Sequence, residues 1–266
     1  MYRRSIFTFI DILGFSQIVE KSKDPEEIKG MLELLREEAK PESKTAELME
    51  MSFLTFSDST IRSVPIDSKA NKKYRDGILW PEINALVHLQ FAMLRHGHFI
   101  RGGMTIGDIY IDDTMVFGPA IVKAHTLETD FAVYPRIVID PIVLTLFETE
   151  PLLRRHEVED EWEFIRACIR KDSDGLYFID YLGGIMTELD EPGMEFDWLE
   201  DHRRIVIMNA KAFPSLSRVG AKYLWLATYH NTVAREISDK HYSKYGLKRD
   251  DYLITDKDIP FLYERE

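Results

Sequence analysis

The chain has 266 residues, 45% hydrophobic and 12% aromatic, enough to bury a full core as one large domain or as one domain with an appendage. Its formal net charge of −12 argues against a surface built for nucleic-acid phosphates, although a free nucleotide arriving with its own metal needs no basic protein. The single cysteine, Cys168, excludes an internal disulfide framework and fits a reducing cytosol. MYRRSIFTF at the N-terminus passes straight into a strand pattern without a cleavable apolar leader, and no apolar run approaches the roughly 20 residues of a membrane span, so a soluble, cytoplasmic chain with no membrane partner is expected.

Residues 5–16, SIFTFIDILGFS, form an apolar strand that delivers Asp11 to a tight turn at Gly14. A short helix follows over 17–20, and Asp24 with Pro25 provides the cap and first-turn proline of a second helix through Ile28, Met31, Leu32 and Leu35. Residues 41–50 are polar and read as a loop. Residues 52–57 and 60–64 are β-rich and flank a hairpin turn, Ser57, Asp58 and Ser59, which presents Asp58 much as the first strand presents Asp11. DSKANKKYRDG, 67–77, reads as a solvated cationic loop. Pro81 opens a helix with Ile83, Leu86, Val87, Gln90 and Leu94 on one face, closed by Gly97. Residues 99–106 and 109–112 read as two strands around Gly107 and Asp108, with Asp112 and Asp113 exposed. A helix over 117–129 and a short buried strand over 135–140 follow.

That order predicts an α+β fold on the ferredoxin-like βαββαβ plan, a mostly antiparallel sheet backed by helices. In this topology the first strand and the first strand of the hairpin run the same way, which brings Asp11 and Asp58 to one end of the sheet. Beyond it, 146–165 is densely charged and helical, mostly solvated; 170–175 is a turn before a strand over 176–181; 182–196 is a glycine-rich loop. A last helix carries Leu216, Val219, Tyr223, Leu226, His230, Val233 and Ile237 on one face, with Ser215 as candidate cap and His230 as a packing residue. The expected division is a domain over 1–182 and a helical extension over 183–266, packed on the core or on a partner.

A carboxylate between Ile10 and Ile12 is poorly solvated and must be paired, hydrogen-bonded or bound to a cation. Taken singly, Asp11 reads as the cap of the following helix and Asp58 as a turn residue. Taken together, at the ends of two such strands, they read as oxygen ligands for Mg²⁺ or Mn²⁺, ions held by one or two carboxylates plus substrate phosphates. The backbone amides around Gly14 would then meet those phosphates.

The segments FIDILGF at 9–15, FSDS at 56–59, RGGMTIG at 101–107 and FGPAIVKAHTLE at 117–128 resemble a class III nucleotidyl cyclase domain, over residues 4–182. The resemblance implies a homodimer with active sites at the interface and conversion of a nucleoside triphosphate to a 3′,5′-cyclic monophosphate plus pyrophosphate. It implies two divalent ions on Asp11 and Asp58, a further ligand from the Ile12 carbonyl, and a triphosphate held by the amides of Leu13, Gly14, Phe15 and Ser16. The purine-cyclase Asn and Arg would fall at Val122 and Thr126, and the base-reading Lys and Asp at Leu54 and Met115. With those departures, and with YPRIVID, DGLYFIDYL and KYLWLATYHN further on, the chain is more similar to the bacterial Pycsar pyrimidine cyclases. That family implies UTP or CTP as substrate, with UTP placed first, and a cyclic product that activates a separate effector in antiphage defence. Leu54 would line the base.

Leaving pyrophosphate calls for a positive charge, and Arg101, Lys123 and Lys171 are the candidates. Arg101 starts a strand at the Asp11 end; a surface arginine pairing with an acidic neighbour is the competing reading. Lys123 and His125 read as helix-surface residues. A purine cyclase and a non-catalytic ferredoxin-like nucleotide-binding module are the alternative functions. The Gly-Gly-acidic hairpin of diguanylate cyclases is replaced here by Phe56, Ser57, Asp58 and Ser59.

Overall fold

In the computed structural model, which describes residues 1–112, 114–189, 191–213 and 217–260, the strand carrying Asp11 is an inner strand of the sheet. Strand β1 (Arg3–Ile12) buries Ser5, Ile6, Phe7, Thr8 and Ile10, so both of its faces are covered. It pairs antiparallel with β3 (Ser59–Pro65) on one side and with β4 (Ile100–Ile111) on the other. Strand β2 (Ser52–Phe56) adds antiparallel outside β3 and therefore runs in the direction of β1. Beyond β4 the sheet continues with β6 (Ile137–Ile139), parallel, then β8 (Tyr177–Ile179) and β7 (Ile169–Lys171), both in antiparallel pairings; β5 (Val116–Phe117) folds back on β4. Among the described residues the order is β2-β3-β1-β4-β6-β8-β7.

Helices fill the connections. Between β1 and β2 run α1 (Phe15–Lys21), α2 (Pro25–Ala39) and α3 (Ser43–Met49); between β3 and β4 run α4 (Lys69–Tyr74) and α5 (Leu79–Arg95). After β5 comes α6 (Pro119–Thr126), which continues as a wider π-helical turn, Leu127–Phe131. Then follow α7 (Pro141–Thr149), α8 (Val158–Cys168) and α9 (Tyr181–Ile185), and after them α10 (Met194–Ala210), α11 (Arg218–Glu236) and α12 (Asp239–Lys244). Strands β1 to β4 with their helical crossovers form the ferredoxin-like βαββαβ plan of an α+β fold. No described helix is long and apolar enough to cross a membrane.

The chain divides into two compact units, Met1–Met93 with His98–Gly184, and Leu94–Gly97 with Ile185–Glu266. In the first, the two sheet faces have different covers. Phe7 and Ile61 face α6 and form a cluster with Ala120 and Ala124, on which Phe9, Leu54, Val116 and Ile121 also pack. On the opposite face Arg62 is held by both carboxylate oxygens of Glu82 at 2.8 Å and by the Ala39 carbonyl, tying β3 to α5 and α2. Helix α6 comes close to the sheet because two positions of β4 lack a side chain: a Cβ on Gly103 would strike the Ala124 carbonyl and the Leu127 Cβ, and one on Gly107 would press on Ala120. In the second unit α10 packs on α11, and the rings of His202 and His230 stack at 5.1 Å between centroids. His230 Nε2 lies 2.8 Å from the Tyr252 carbonyl and so carries the proton, which leaves its Nδ1 to accept from His202 at 3.1 Å. Burial lowers both imidazoles, His230 to about 4, so His230 is the packing residue its position in the stripe suggested.

Several expected elements change. The two strands expected over 99–106 and 109–112 are the single strand β4, because Gly107 and Asp108 stay in register opposite Ser5 and Arg4; the reversal comes at Asp112, whose carboxylate accepts from the amides of Thr114 at 2.8 Å and Met115 at 3.0 Å. An Asx turn outcompetes the Gly-Asp pair, and Gly107 is needed for helix contact instead. The helix expected from 117 starts at Pro119, since Phe117 pairs in β5 and Gly118 holds a φ of 142°. Residues 41–50 and 67–77, expected as loops, contain α3 and α4, which close on Glu50 and Arg75 at positive φ, and Ser68 caps α4. In the charged stretch over 146–165, Glu161 is buried and accepts from the amides of Arg155 and His156. The stretch expected as a loop over 182–196 holds the end of α9 and the start of α10, a helix the charge-rich sequence masked. Ser217 caps α11, accepting from Gly220 at 2.9 Å; Asp113, Ser215 and Leu216 lie outside the described residues.

Gly103→Ala is expected to cost about 1–3 kcal/mol in urea unfolding because helix backbone must move, whereas Gly30→Ala, in an open stretch of α2, is expected to stabilise by about 0.5–1 kcal/mol. Equal effects at the two sites would contradict the close seat of α6.

Candidate active site

Asp11 is the penultimate residue of β1, with Ser59 of β3 and Arg101 of β4 as its register partners. Side chains across a register share a face, so Phe56, Ser59, Asp11 and Arg101 form one row and Leu54, Ile61, Phe9 and Gly103 the next. Asp58 stands in the β2–β3 turn, beside Ser57 at a φ of 50°, and its carbonyl accepts from the Ile12 amide at 3.3 Å. The two aspartates thus meet at one sheet end, Asp58 preceding the register partner of Asp11, and that partner, Ser59, donates its Oγ to Asp11 Oδ1 at 3.4 Å.

Arg101 and Glu128 complete the cluster. Arg101 Nη2 lies 3.3 Å from Asp11 Oδ2 and 2.5 Å from Glu128 Oε1, and the Glu128 side chain is only 3% exposed. Burial raises the Asp11 carboxyl to about 7, helped by the hydrogen bond and charge of Asp58 and by the charge of Glu128, with Arg101 opposing. Burial raises Glu128 as well, offset by Arg101 and His125.

The other predicted residues are spread more widely. Gly14 takes the left-handed conformation, φ 76°, and its carbonyl accepts from Gln17 and Ile18. The amides of Gly14, Phe15 and Ser16 precede those first helical bonds, but the amide of Leu13 donates to the Phe99 carbonyl at 2.8 Å and is committed to the fold. Leu54 is half-buried on the Phe7 and Ile61 cluster, one row from Asp11. Met115 and Val122 are exposed, and Thr126 bonds back to the Val122 carbonyl at 2.9 Å. Of the other cation candidates, Lys123 approaches Asp140 at 3.8 Å and Lys171 lies over the Tyr177 ring, while His125 meets Phe9 edge-on. Glu128 closes the FGPAIVKAHTLE segment, and sequence alone assigns it no role. Its signal was the spacing Ala120, Ala124, Glu128, which continues a buried helix face into a charge.

Among the described residues no group of three or more Asp, Glu, His or Cys side chains is arranged to hold a metal by itself. Two carboxylates brought to one sheet end nevertheless suit a divalent cation whose remaining ligands come with substrate phosphates. A cavity of about 890 Å³ in the same unit holds none of these residues. Its lining includes Arg62 and Glu82, whose charges close on each other.

No family model matches the chain, and no curated protein matches it. Among solved structures it is similar to an adenylate/guanylate cyclase/hydrolase from Silicibacter pomeroyi, with 18% identity and a TM-score of 0.40 over 56% of this chain and 82% of that one. It is also similar to the catalytic core of a rhodopsin-guanylyl cyclase with converted specificity in complex with ATPαS, with 14% identity and a TM-score of 0.39 over 67% of this chain and 95% of that one. The fold itself stands on the strand order and pairing described above, and the site defines the class: a sheet-end cluster of three carboxylates around one guanidinium.

Asp11 binds its proton more tightly folded than unfolded. Stability from this group is full below the ordinary carboxylate range, about pH 4, and is lost as the pH rises toward the folded value of about 7. In metal-free buffer Asp11→Asn is therefore expected to unfold at higher urea than the wild type at about pH 8, with the gap narrowing toward about pH 4. A variant less stable than the wild type at the higher pH would contradict the crowding.

Proposed function

We propose that the protein is a metal-dependent nucleotidyl cyclase acting on a pyrimidine nucleoside triphosphate, UTP ahead of CTP. The observation that carries the reading is the meeting of Asp11 and Asp58 at one sheet end, with Arg101 opposite Asp11. The reaction forms a bond from the ribose 3′-oxygen to the α-phosphorus and breaks the α–β phosphate bridge; the 3′-hydroxyl loses its proton and pyrophosphate leaves.

Asp11 and Asp58 would hold Mg²⁺ or Mn²⁺, with the Ile12 carbonyl as a further ligand. When bound, the ions supply activation of the 3′-hydroxyl and neutralisation of phosphate charge. The chain's own part is electrostatic and positional. Arg101 brings a positive charge to the departing pyrophosphate, and the amides of Gly14, Phe15 and Ser16 orient the phosphates, without the Leu13 amide that the family pattern would include. Apolar Leu54 lines the base, in place of the lysine of adenylate cyclases. Its neighbourhood, with Met115, Val122 and Thr126 at the other purine-cyclase positions, supports the pyrimidine reading.

A homodimer with sites at its interface belongs to the same proposal, supported by exposed Phe56, Met115, Phe117 and Val122. A role in antiphage defence through a separate effector follows from the motif resemblance. The test is incubation with ATP, GTP, CTP and UTP in parallel with Mn²⁺, with products read by mass. A cyclic pyrimidine product is expected, reduced about a hundredfold or more in Asp58→Ala, the scale of losing a main electrostatic stabiliser. Conversion of ATP or GTP alone would make it a purine cyclase, and metal-independent nucleotide binding without product a binding module.

A further inference from the structure

One nitrogen of Arg101 serves two acids unequally. Nη2 is ion-paired with Glu128 Oε1 at 2.5 Å without the alignment of a hydrogen bond, and it donates a long hydrogen bond to Asp11 Oδ2 at 3.3 Å. Glu128 is almost sealed from water, and a buried carboxylate without a counter-charge is costly, so Coulombic attraction draws the Arg101 guanidinium toward it. Asp11 and Arg101 are direct register partners on neighbouring strands. Without a competing acid, the guanidinium has Asp11 as its nearest carboxylate and closes on it. A carboxylate engaged by arginine in that way is a poorer ligand for a divalent ion.

We infer that Glu128 is a positioning residue that draws the Arg101 guanidinium off Asp11 and so keeps Asp11 available to a cation. The inference rests on the reading of Asp11 and Asp58 as cation ligands. Glu128 reaches this place because α6 is seated by Gly103 and Gly107, which carries the turn that follows it to the sheet end. The same contact leaves Arg101 beside the cluster, where an incoming phosphate meets it already oriented.

The test is Mn²⁺ binding to the full chain without nucleotide, read by the electron paramagnetic resonance signal of the free ion, for wild type, Glu128→Gln, Arg101→Ala and the double variant. Glu128→Gln is expected to weaken Mn²⁺ binding about tenfold, because Arg101 then pairs with Asp11. In the Arg101→Ala background the same change is expected to have little effect. An equal loss in both backgrounds would overturn the inference, since Glu128 would then act by its charge alone, and so would unchanged binding in Glu128→Gln. Wild-type protein that binds no Mn²⁺ would overturn it together with the cation reading of Asp11 and Asp58, whereas wild-type binding that Glu128→Gln leaves unchanged would overturn the inference alone. Thermal melts identify any unfolded variant, in which case Glu128→Asp, which keeps the charge and shortens the reach, replaces Glu128→Gln in the same comparison.

Discussion

A carboxylate set between two buried isoleucines on an inner strand keeps little contact with water, and the sheet end around Asp11 is built to answer that constraint. Asp58 comes from one side, Arg101 from the other, and Glu128 from the turn after α6. Each depends on a larger feature. The turn that carries Asp58 has a residue at positive φ, Arg101 depends on an unbroken β4, and Glu128 depends on two glycines that let a helix lie against the sheet. Arrangement of the neighbouring elements and the charge state of one side chain are the same problem.

Two buried arginines of the first unit are matched more closely by acids. Arg62 and Glu82 meet with both oxygens engaged, and buried Arg136 pairs with Asp172 and with half-exposed Asp174. At the Asp11 end three carboxylates face a single guanidinium. Excess negative charge in a partly dry site raises proton affinity and equally favours a divalent ion, because both relieve the same repulsion. A structural ion pair has no reason to carry such an imbalance, while a site that receives a cation with an anionic substrate does.

The two faces of the sheet divide the work. Under α5 and α2 the surface is tied together through Arg62 and borders a cavity, while the face of Phe7, Phe9 and Leu54 is covered by α6 on one part and ends in the carboxylate row on another. On β1 the packing residues Phe7 and Phe9 and the carboxylate of Asp11 therefore follow one another along the same face.

Period-two strands, the capped helix at Asp24 and the βαββαβ order were legible in the sequence, because they follow from local patterns of apolar residues, caps and turns. So was the convergence of Asp11 and Asp58, since topology alone makes β1 and β2 run the same way. Gly107 was misread as a turn because a glycine marks either a reversal or a close approach, and only the packed helix distinguishes the two. The helices α3 and α4 were lost in polar sequence for a similar reason, their ends being fixed by residues at positive φ rather than by glycine. Glu128 and the unequal sharing of Arg101 were decided by tertiary structure, because a charge on a buried helix face has no meaning until the face it meets is known. Sequence determined which strands carry the acids; the distances between side chains from four separate segments determined how their charges compete.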